Sequence, residues 1–323
     1  MKILVTGAAG FIGSKLMHEL ARRGDSVVGI DNYDNYYDVR LKRARVAAFG
    51  LDVLNLDITD KPALDALFAG EHFEKVVNLA AQTGVRYSVE NPYVFLRSNV
   101  TGFLNVLEAC RNYGVKHLVF ASSSSVYGSN TKVPFREDDE LDKPMSLYAV
   151  TKRNDELMSR VYAALYGIAI TGLRYFTAYG PWGRPDMAPM LFARCISRGE
   201  TLQIFNHGDM IRDFTFIDDI VEGTMRCIDN EPARDEDGLR YRVYNIGCGH
   251  PVRLMDFIAE LEHAFGIEAH KAFHPMQPGD VYQTTADTTL LQQEQGFKPS
   301  VPLCEGIAKF VAWYKNFFTF FPD

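Results

Sequence analysis

The chain opens with MKILVTGAAGFIG, which sets Gly7, Gly10 and Gly13 three residues apart between an apolar run and a helix-like stretch. Ile3 to Thr6 reads as a short buried strand, and Phe11 to Arg23, closed by Gly24, as a helix. Glycines at such a junction permit a tight turn and let the backbone approach a pyrophosphate closely. The helix N-terminus then presents free N–H groups and a favourable dipole to the anion. The pattern continues with strands predicted at Ser26 to Asp31, Val53 to Asp57, Val76 to Ala80, His117 to Ser122, Ile168 to Tyr175 and Arg242 to Ile246. Helices are predicted at 92–113, 146–166, 253–265 and 303–317. Strands alternating with helices argue for an α/β fold, a parallel sheet covered on both faces. Residues 176–210, rich in glycine and proline, read as a loop-rich stretch outside that sheet.

Asp31 ends the second strand, 18 residues after Gly13 by count. A carboxylate there can accept hydrogen bonds from an adenosine ribose diol and would repel a 2′-phosphate, which favours NAD over NADP. Tyr148 and Lys152 are four apart on a predicted helix and share one face. A tyrosine is a poor base at neutral pH unless nearby positive charge stabilises its phenolate, and an ammonium one turn away supplies such charge. The run Ser122, Ser123, Ser124, Ser125 follows a predicted strand, at the sheet edge where open α/β folds bind ligands. A hydroxyl there can hydrogen-bond a reacting oxygen.

Composition narrows the function further. With 34 basic and 41 acidic residues the net charge is −7, no long basic block is present, and nucleic acid is not expected as a partner. No run of about 18 apolar residues offers a membrane span. The first apolar run flows into the glycine turn without a cleavage pattern, so it is not expected to be a signal peptide. Five widely spaced cysteines suit neither a disulfide framework nor a zinc ribbon, and a reduced cytoplasmic location is expected. His270 and His274 are read as loop or surface histidines, with no metal site expected.

In combination, these residues resemble the extended short-chain dehydrogenase/reductase family over nearly the whole chain. The resemblance rests on Gly7, Gly10 and Gly13, the Asp57-Ile58 pair, Asn78-Leu79-Ala80-Ala81, SSSSVYG and Tyr148-Ala149-Val150-Thr151-Lys152. Arg212-Asp213-Phe214 with Asp218-Asp219, and Tyr244-Asn245-Ile246-Gly247, fall in the same order. The stretches AAQTGVRYS, RYFTAYGPWGRPDM and FNHGDMIRDFTFIDD are most similar to the UDP-glucuronate 4-epimerase branch.

The resemblance implies a Rossmann domain over 1–175, joined again by 212–247, and a smaller interleaved sugar-nucleotide lobe from 176–211 and 248–323. It implies a retained NAD and a UDP-sugar substrate. Tyr148 would take the C4 hydroxyl proton as C4 passes hydride to NAD, and the 4-keto sugar would rotate before hydride returns. Lys152 would tune Tyr148 and hold the cofactor ribose, and Ser123 would share the reacting hydrogen bond. The implied cofactor residues are Gly7, Gly10, Phe11, Ile12, Gly13, Asp31, Asn32, Asp57, Ile58, Leu79, Ala80, Ala81, Gln82, Asn99, Tyr148, Lys152 and Tyr175. The implied substrate residues are Arg86, Ser124, Ser125, Thr177, Arg184, Phe205, Arg212, Gln277 and Asp280.

Within the resemblance, Arg184 or Arg86 would pair with the sugar carboxylate and Arg212 with the diphosphate. Gln277 stands where many relatives carry an arginine before Pro-Gly-Asp. Related dehydratases carry an Asp-Glu pair where Ser124 and Ser125 stand, and decarboxylases a glutamate at Ser125, so epimerisation without carbon dioxide loss is expected. Epimerisation of neutral or acetamido UDP-hexoses, and a non-catalytic NAD sensor, are the alternatives. The resemblance also suggests a homodimer through the helices near 92–113 and 146–166. The C-terminal aromatics Trp313, Tyr314, Phe317, Phe318, Phe320 and Phe321 are expected to pack on the second lobe rather than on a membrane.

Overall fold

The structure, a computed structural model, describes residues 1–277 and 280–317. Seven parallel strands form its central sheet: β1 (Lys2–Thr6), β2 (Ser26–Asp31), β3 (Val53–Asn55), β4 (Lys75–Asn78), β5 (His117–Ser123), β6 (Ala169–Tyr175) and β7 (Tyr241–Ile246). Their spatial order is 3-2-1-4-5-6-7, the doubly wound arrangement with its switch point between β1 and β4. The fold is a Rossmann-type α/β sheet. Alternate residues of β1 feed opposite faces. Ile3 and Val5 pack on Leu16, Met17 and Leu20 of the Phe11–Arg23 helix, while Leu4 packs with Val76, Phe103 and Leu107 on the other face.

The glycine turn is built as the sequence required. Gly7 has φ +67°, and a Cβ there would sit 2.8 Å from the Ala80 nitrogen. A Cβ on Gly13 would sit 2.2 Å from the Gly7 carbonyl oxygen, so only glycine lets the helix approach the turn this closely.

Outside the sheet, Thr177–Tyr179 pairs with Phe214–Phe216, Ile211–Arg212 with Val252–Arg253, and Leu202–Ile204 with Lys271–Phe273. The reading of 176–210 as loop-rich is corrected by an eleven-residue helix, Ala188–Arg198. Its Pro189 occupies the first turn, where a missing N–H costs nothing, and Gly199 closes it in the left-handed conformation. The proline and glycine there mark helix ends. The helix predicted at 92–113 is interrupted: Pro92–Phe95 and Phe103–Asn112 flank a π-helical segment, Leu96–Gly102.

Helices that the sequence reading passed over include Val39–Ala48, Lys61–Glu71, Ile217–Asp229 and Thr289–Gln295. The first buries Leu41, Lys42 and Arg45, so two cations occupy the places an apolar stripe would fill. At the C-terminal helix, Leu303–Phe317, Trp313 and Phe317 meet Trp182 with ring centroids 5.2 and 4.3 Å away. Phe318, Phe320 and Phe321 lie outside the described residues. Among the described residues no helix is long and apolar enough to cross a membrane.

Candidate active site

A cleft runs across the C-terminal edge of the sheet, from the glycine turn to the end of β6. Of the residues expected to hold a cofactor, Gly7, Gly10, Phe11, Ile12, Gly13, Asp31, Asn32, Asp57, Ile58, Leu79, Ala80, Ala81, Gln82, Tyr148, Lys152 and Tyr175 line it. The Phe11–Arg23 helix starts at Gly10 with no side-chain cap, leaving its first N–H groups facing the cleft for an anion.

Buried Asp31 accepts from the Ala9 N–H at 3.1 Å, the Tyr33 N–H at 2.8 Å and Lys42 Nζ at 3.2 Å. Asp57 accepts from Asn32 Nδ2 at 3.0 Å and the Thr59 N–H at 2.8 Å. Burial opposes its ionisation, but these hydrogen bonds outweigh burial and hold the carboxyl below its ordinary range. Asn99 stands behind the wall: it exchanges hydrogen bonds with the Gln82 backbone at 2.8 and 3.0 Å and donates to Thr151 Oγ1 at 3.0 Å. The π-helical segment carries it there and so pins the strand-end residues that face the cofactor side.

Tyr148 and Lys152 enter from the Leu147–Tyr166 helix, whose N-cap Ser146 accepts from the Ala149 N–H at 3.1 Å. Lys152 is buried and donates to the Ala121 carbonyl at 2.9 Å and to Asp155 at 3.2 Å. An ammonium has three protons, so one remains for a ligand. The Tyr148 ring lies edge-on to Phe95 at 6.1 Å, and among the described residues nothing hydrogen-bonds its hydroxyl. Ser123 Oγ donates to Ser125 Oγ and accepts from the Ser125 N–H, both at 3.1 Å. Ser123, Ser124, Ser125, Thr177 and Arg184 line the same cleft, so the structure brings a phenol, an ammonium, three serines, a threonine and a guanidinium together in it.

Arg184 is a constrained cation. It forms a two-point ion pair with Asp186, and Tyr36 donates to the same carboxylate at 3.1 Å. Nη1 of Arg184 has no hydrogen-bond partner among the described residues and is the atom left for a ligand. The loop is also held from below. Buried Arg45 donates to the carbonyls of Trp182 at 3.0 Å and Gly183 at 3.2 Å, and to that of Ala9 in the glycine turn at 3.2 Å.

The remaining expected residues gather beyond the cleft wall. Arg86 lies 3.5 Å from Asp280 and 5.2 Å above the Phe205 ring. Arg212 makes no ion pair with its neighbour Asp213 among the described residues. It clamps the Val281 and Tyr282 carbonyls at 2.6 and 2.9 Å, and burial lowers its pKa while nearby Asp280 opposes the shift. Asp213 instead accepts the N–H groups of Cys248, Gly249 and Ala286. Gln277 is half-buried, and its Oε1 has no hydrogen-bond partner among the described residues. His274 bonds Gln203 Oε1 at 2.6 Å, and among the described residues no group of three His, Cys, Asp or Glu is placed to hold a metal.

Sequence reasoning missed Tyr36, Lys42, Arg45, Asp155 and Asp186. Asp155 and Asp186 stood within three residues of noted cations, a signal that spacing alone offered.

The fold and this cleft define a dinucleotide-binding enzyme whose cleft is lined by Tyr148 and Lys152. The chain belongs to the NAD dependent epimerase/dehydratase family, whose model matches residues 3–247. It is similar to UDP-glucuronate 4-epimerase 4 of Arabidopsis thaliana, 45% identical over 331 residues that cover 98% of this chain and 76% of that protein. Among solved structures, the UDP-glucuronic acid 4-epimerase of Bacillus cereus, in complex with UDP-glucuronic acid and NAD, superposes with a TM-score of 0.90. It is 34% identical and covered over 99% of its length by 98% of this chain. The UDP-glucose 4-epimerase of Thermotoga maritima, with UDP-glucose, gives 0.89 at 30% identity, with 98% of this chain and all of that one covered.

Proposed function

We propose that this chain is an NAD-dependent epimerase that inverts C4 of UDP-glucuronate to give UDP-galacturonate. The single observation that carries the reading is the Tyr148 hydroxyl, without a hydrogen-bond partner among the described residues, in one cleft, which begins at the glycine turn, with buried Lys152 and the Ser123–Ser125 hydroxyls. The similarity to UDP-glucuronate 4-epimerases supports the substrate.

The residues present fit NAD. The uncapped helix N-terminus at Gly10 suits its diphosphate, Asp31 its adenosine ribose, and the third proton of Lys152 its second ribose. When bound, NAD supplies a reversible hydride acceptor. Tyr148 takes the proton of the C4 hydroxyl, with Lys152 stabilising the phenolate. Ser123 hydrogen-bonds the C4 oxygen, oriented by its contacts to Ser125. Thr177 and Arg184 Nη1 bind the sugar carboxylate. Hydrogen bonds to a charged group are worth about 1.5–3 kcal/mol each, enough to hold the carboxylate of the 4-keto sugar against decarboxylation. No carboxylic acid stands at Ser124 or Ser125 to assist elimination or decarboxylation. Arg86, Phe205, Arg212, Gln277 and Asp280 form the nucleotide end, with Phe205 as an apolar face and Arg212 as the diphosphate cation.

Residues 1–175 with 212–247 act as the cofactor domain, and 176–211 with 248–323 as the substrate lobe. The enzyme works as a cytoplasmic homodimer. Val150, Leu157, Val161 and Leu165 make an exposed apolar stripe along the Leu147–Tyr166 helix, beside exposed Tyr93, Leu96 and Leu104. That supports a second copy of the chain as its cover. Free thiols at all five cysteines support a reducing location.

Incubating the purified protein with UDP-glucuronate, without added NAD, and resolving the products by NMR tests the reading. UDP-galacturonate is the expected product. A UDP-pentose would overturn the serine-for-glutamate argument, and turnover of UDP-glucose alone would favour the neutral-sugar reading.

A further inference from the structure

Tyr148, Lys152 and Asp155 stand at i, i+4 and i+7 of the Leu147–Tyr166 helix, on one face. Asp155 and Lys152 are both buried, with 3.2 Å between Nζ and Oδ2. The other carboxylate oxygen, Oδ1, is buried without a hydrogen-bond partner among the described residues. A structural ion pair in a dry interior is ordinarily surrounded by donors that complete the carboxylate. Here a single lysine proton serves it, and that lysine adjoins the base.

The surroundings offer Asp155 little other charge. Glu156, next on the helix, is engaged by Arg174, Arg153 and the Ser122 hydroxyl. The packed strand β5 presents the neutral Ala121 carbonyl to Lys152. In the π-helical segment, Asn99 is neutral and Arg97 points to Thr59 Oγ1. Burial raises the Asp155 carboxyl to about 7; the Lys152 charge opposes the rise and Glu156 adds to it.

We propose that Asp155 is a positioning residue that acts through Lys152 to set the proton affinity of Tyr148. Ionised, it offsets part of the Lys152 charge and leaves Tyr148 harder to deprotonate. Protonated, it releases that charge to the phenol. Seven residues of helix span roughly 10 Å. One charge at that distance, at an effective dielectric near 20, moves a pKa by about one unit, and by about half of that where the two groups titrate together. The proposal rests on reading Tyr148 as the base.

The test uses the NAD-loaded enzyme and the isosteric Asp155→Asn variant. The tyrosinate difference absorbance of Tyr148 is isolated by subtracting Tyr148→Phe in each background, and kcat is followed against pH. The Tyr148 titration and the acid limb of kcat should both move down by about half to one pH unit. An Asp155→Ser variant, which lacks the packing of Asn, should move them the same way if charge is the cause. A lower kcat or melting temperature with neither profile moved would overturn the proposal and leave Asp155 a packing residue. Should no UDP-sugar turn over, the epimerase reading fails while the Tyr148 titration still decides this one: a shift supports it and no shift overturns it.

Discussion

The glycine turn and the Gly183–Met187 loop face each other across one cleft and are built by different means. At the turn the backbone does the positioning. Gly7 and Gly13 are fixed by contacts that leave no room for a Cβ, and the helix N-terminus is uncapped. At the loop, side chains do it, one beside Arg184 and two distant in sequence. Asp186 orients Arg184 and is itself held by Tyr36, 150 residues away. Arg45 grips the Trp182 and Gly183 carbonyls and reaches the Ala9 carbonyl of the turn, tying one side to the other. A backbone site has little tolerance for added atoms. A side-chain site can be retuned by moving charge, which is what a family of enzymes handling different sugars on one cofactor requires.

Tyr148→Phe acts where the two sides meet and should have the largest effect. Turnover should fall by about 10²–10⁴-fold while the NAD that co-purifies stays near one per chain, because Lys152 and the glycine turn remain. Measuring kcat and NAD released on denaturation checks this, and loss of NAD would mean that the phenol mainly supports binding. Gly13→Ala tests the backbone side. Its Cβ, 2.2 Å from the Gly7 oxygen, should cost about 1–3 kcal/mol or more and empty the protein of NAD, seen as a lower melting temperature and lower cofactor content.

Asp186→Asn tests the side-chain side by loosening Arg184. The KM for UDP-glucuronate should rise about tenfold, or ~1.4 kcal/mol, with a smaller change for UDP-glucose. Equal changes for both sugars would remove Arg184 from carboxylate recognition.

The smallest effect concerns the sheet beneath. His117 is buried against Thr171, and burial, helped by the Lys75 charge, lowers its pKa to about 3. The unfolded imidazole takes a proton below about 6.5 and the folded one does not, so its contribution to stability is lost as pH falls below that value. The slope is at most ~1.4 kcal/mol per pH unit. Asp155, whose carboxyl is raised, opposes it: the folded state binds the extra proton between about 4 and 7, so that contribution falls as pH rises. His117→Asn should therefore lose acid sensitivity relative to the parent in denaturant melts at pH 5 and pH 7.

The backbone side was legible in the sequence and the side-chain side only in part. The glycine spacing, Asp31 at a strand end, and Tyr148 four residues before Lys152 are local patterns, and the structure gathers all of them in the cleft. Arg184 and Thr177 were expected in the cleft and line it. The pairing of Arg184 with Asp186 is local and was passed over, while the contacts of Tyr36 and Arg45 to this loop join residues far apart in sequence and have no local pattern. Lys42 and Arg45 escaped notice because their helix buries cations where an amphipathic pattern looks for apolar residues. In the 176–210 stretch, proline and glycine were taken for loop when they punctuate a helix.

The central claim is that C4 loses and regains a hydride inside one protein molecule while Tyr148 handles only the proton. UDP-glucuronate deuterated at C4, incubated with the purified enzyme in ordinary water without added NAD, tests it directly. UDP-galacturonate that keeps its deuterium at C4 is the expected result. Deuterium washed out to solvent, or inversion at a carbon other than C4, would contradict the account.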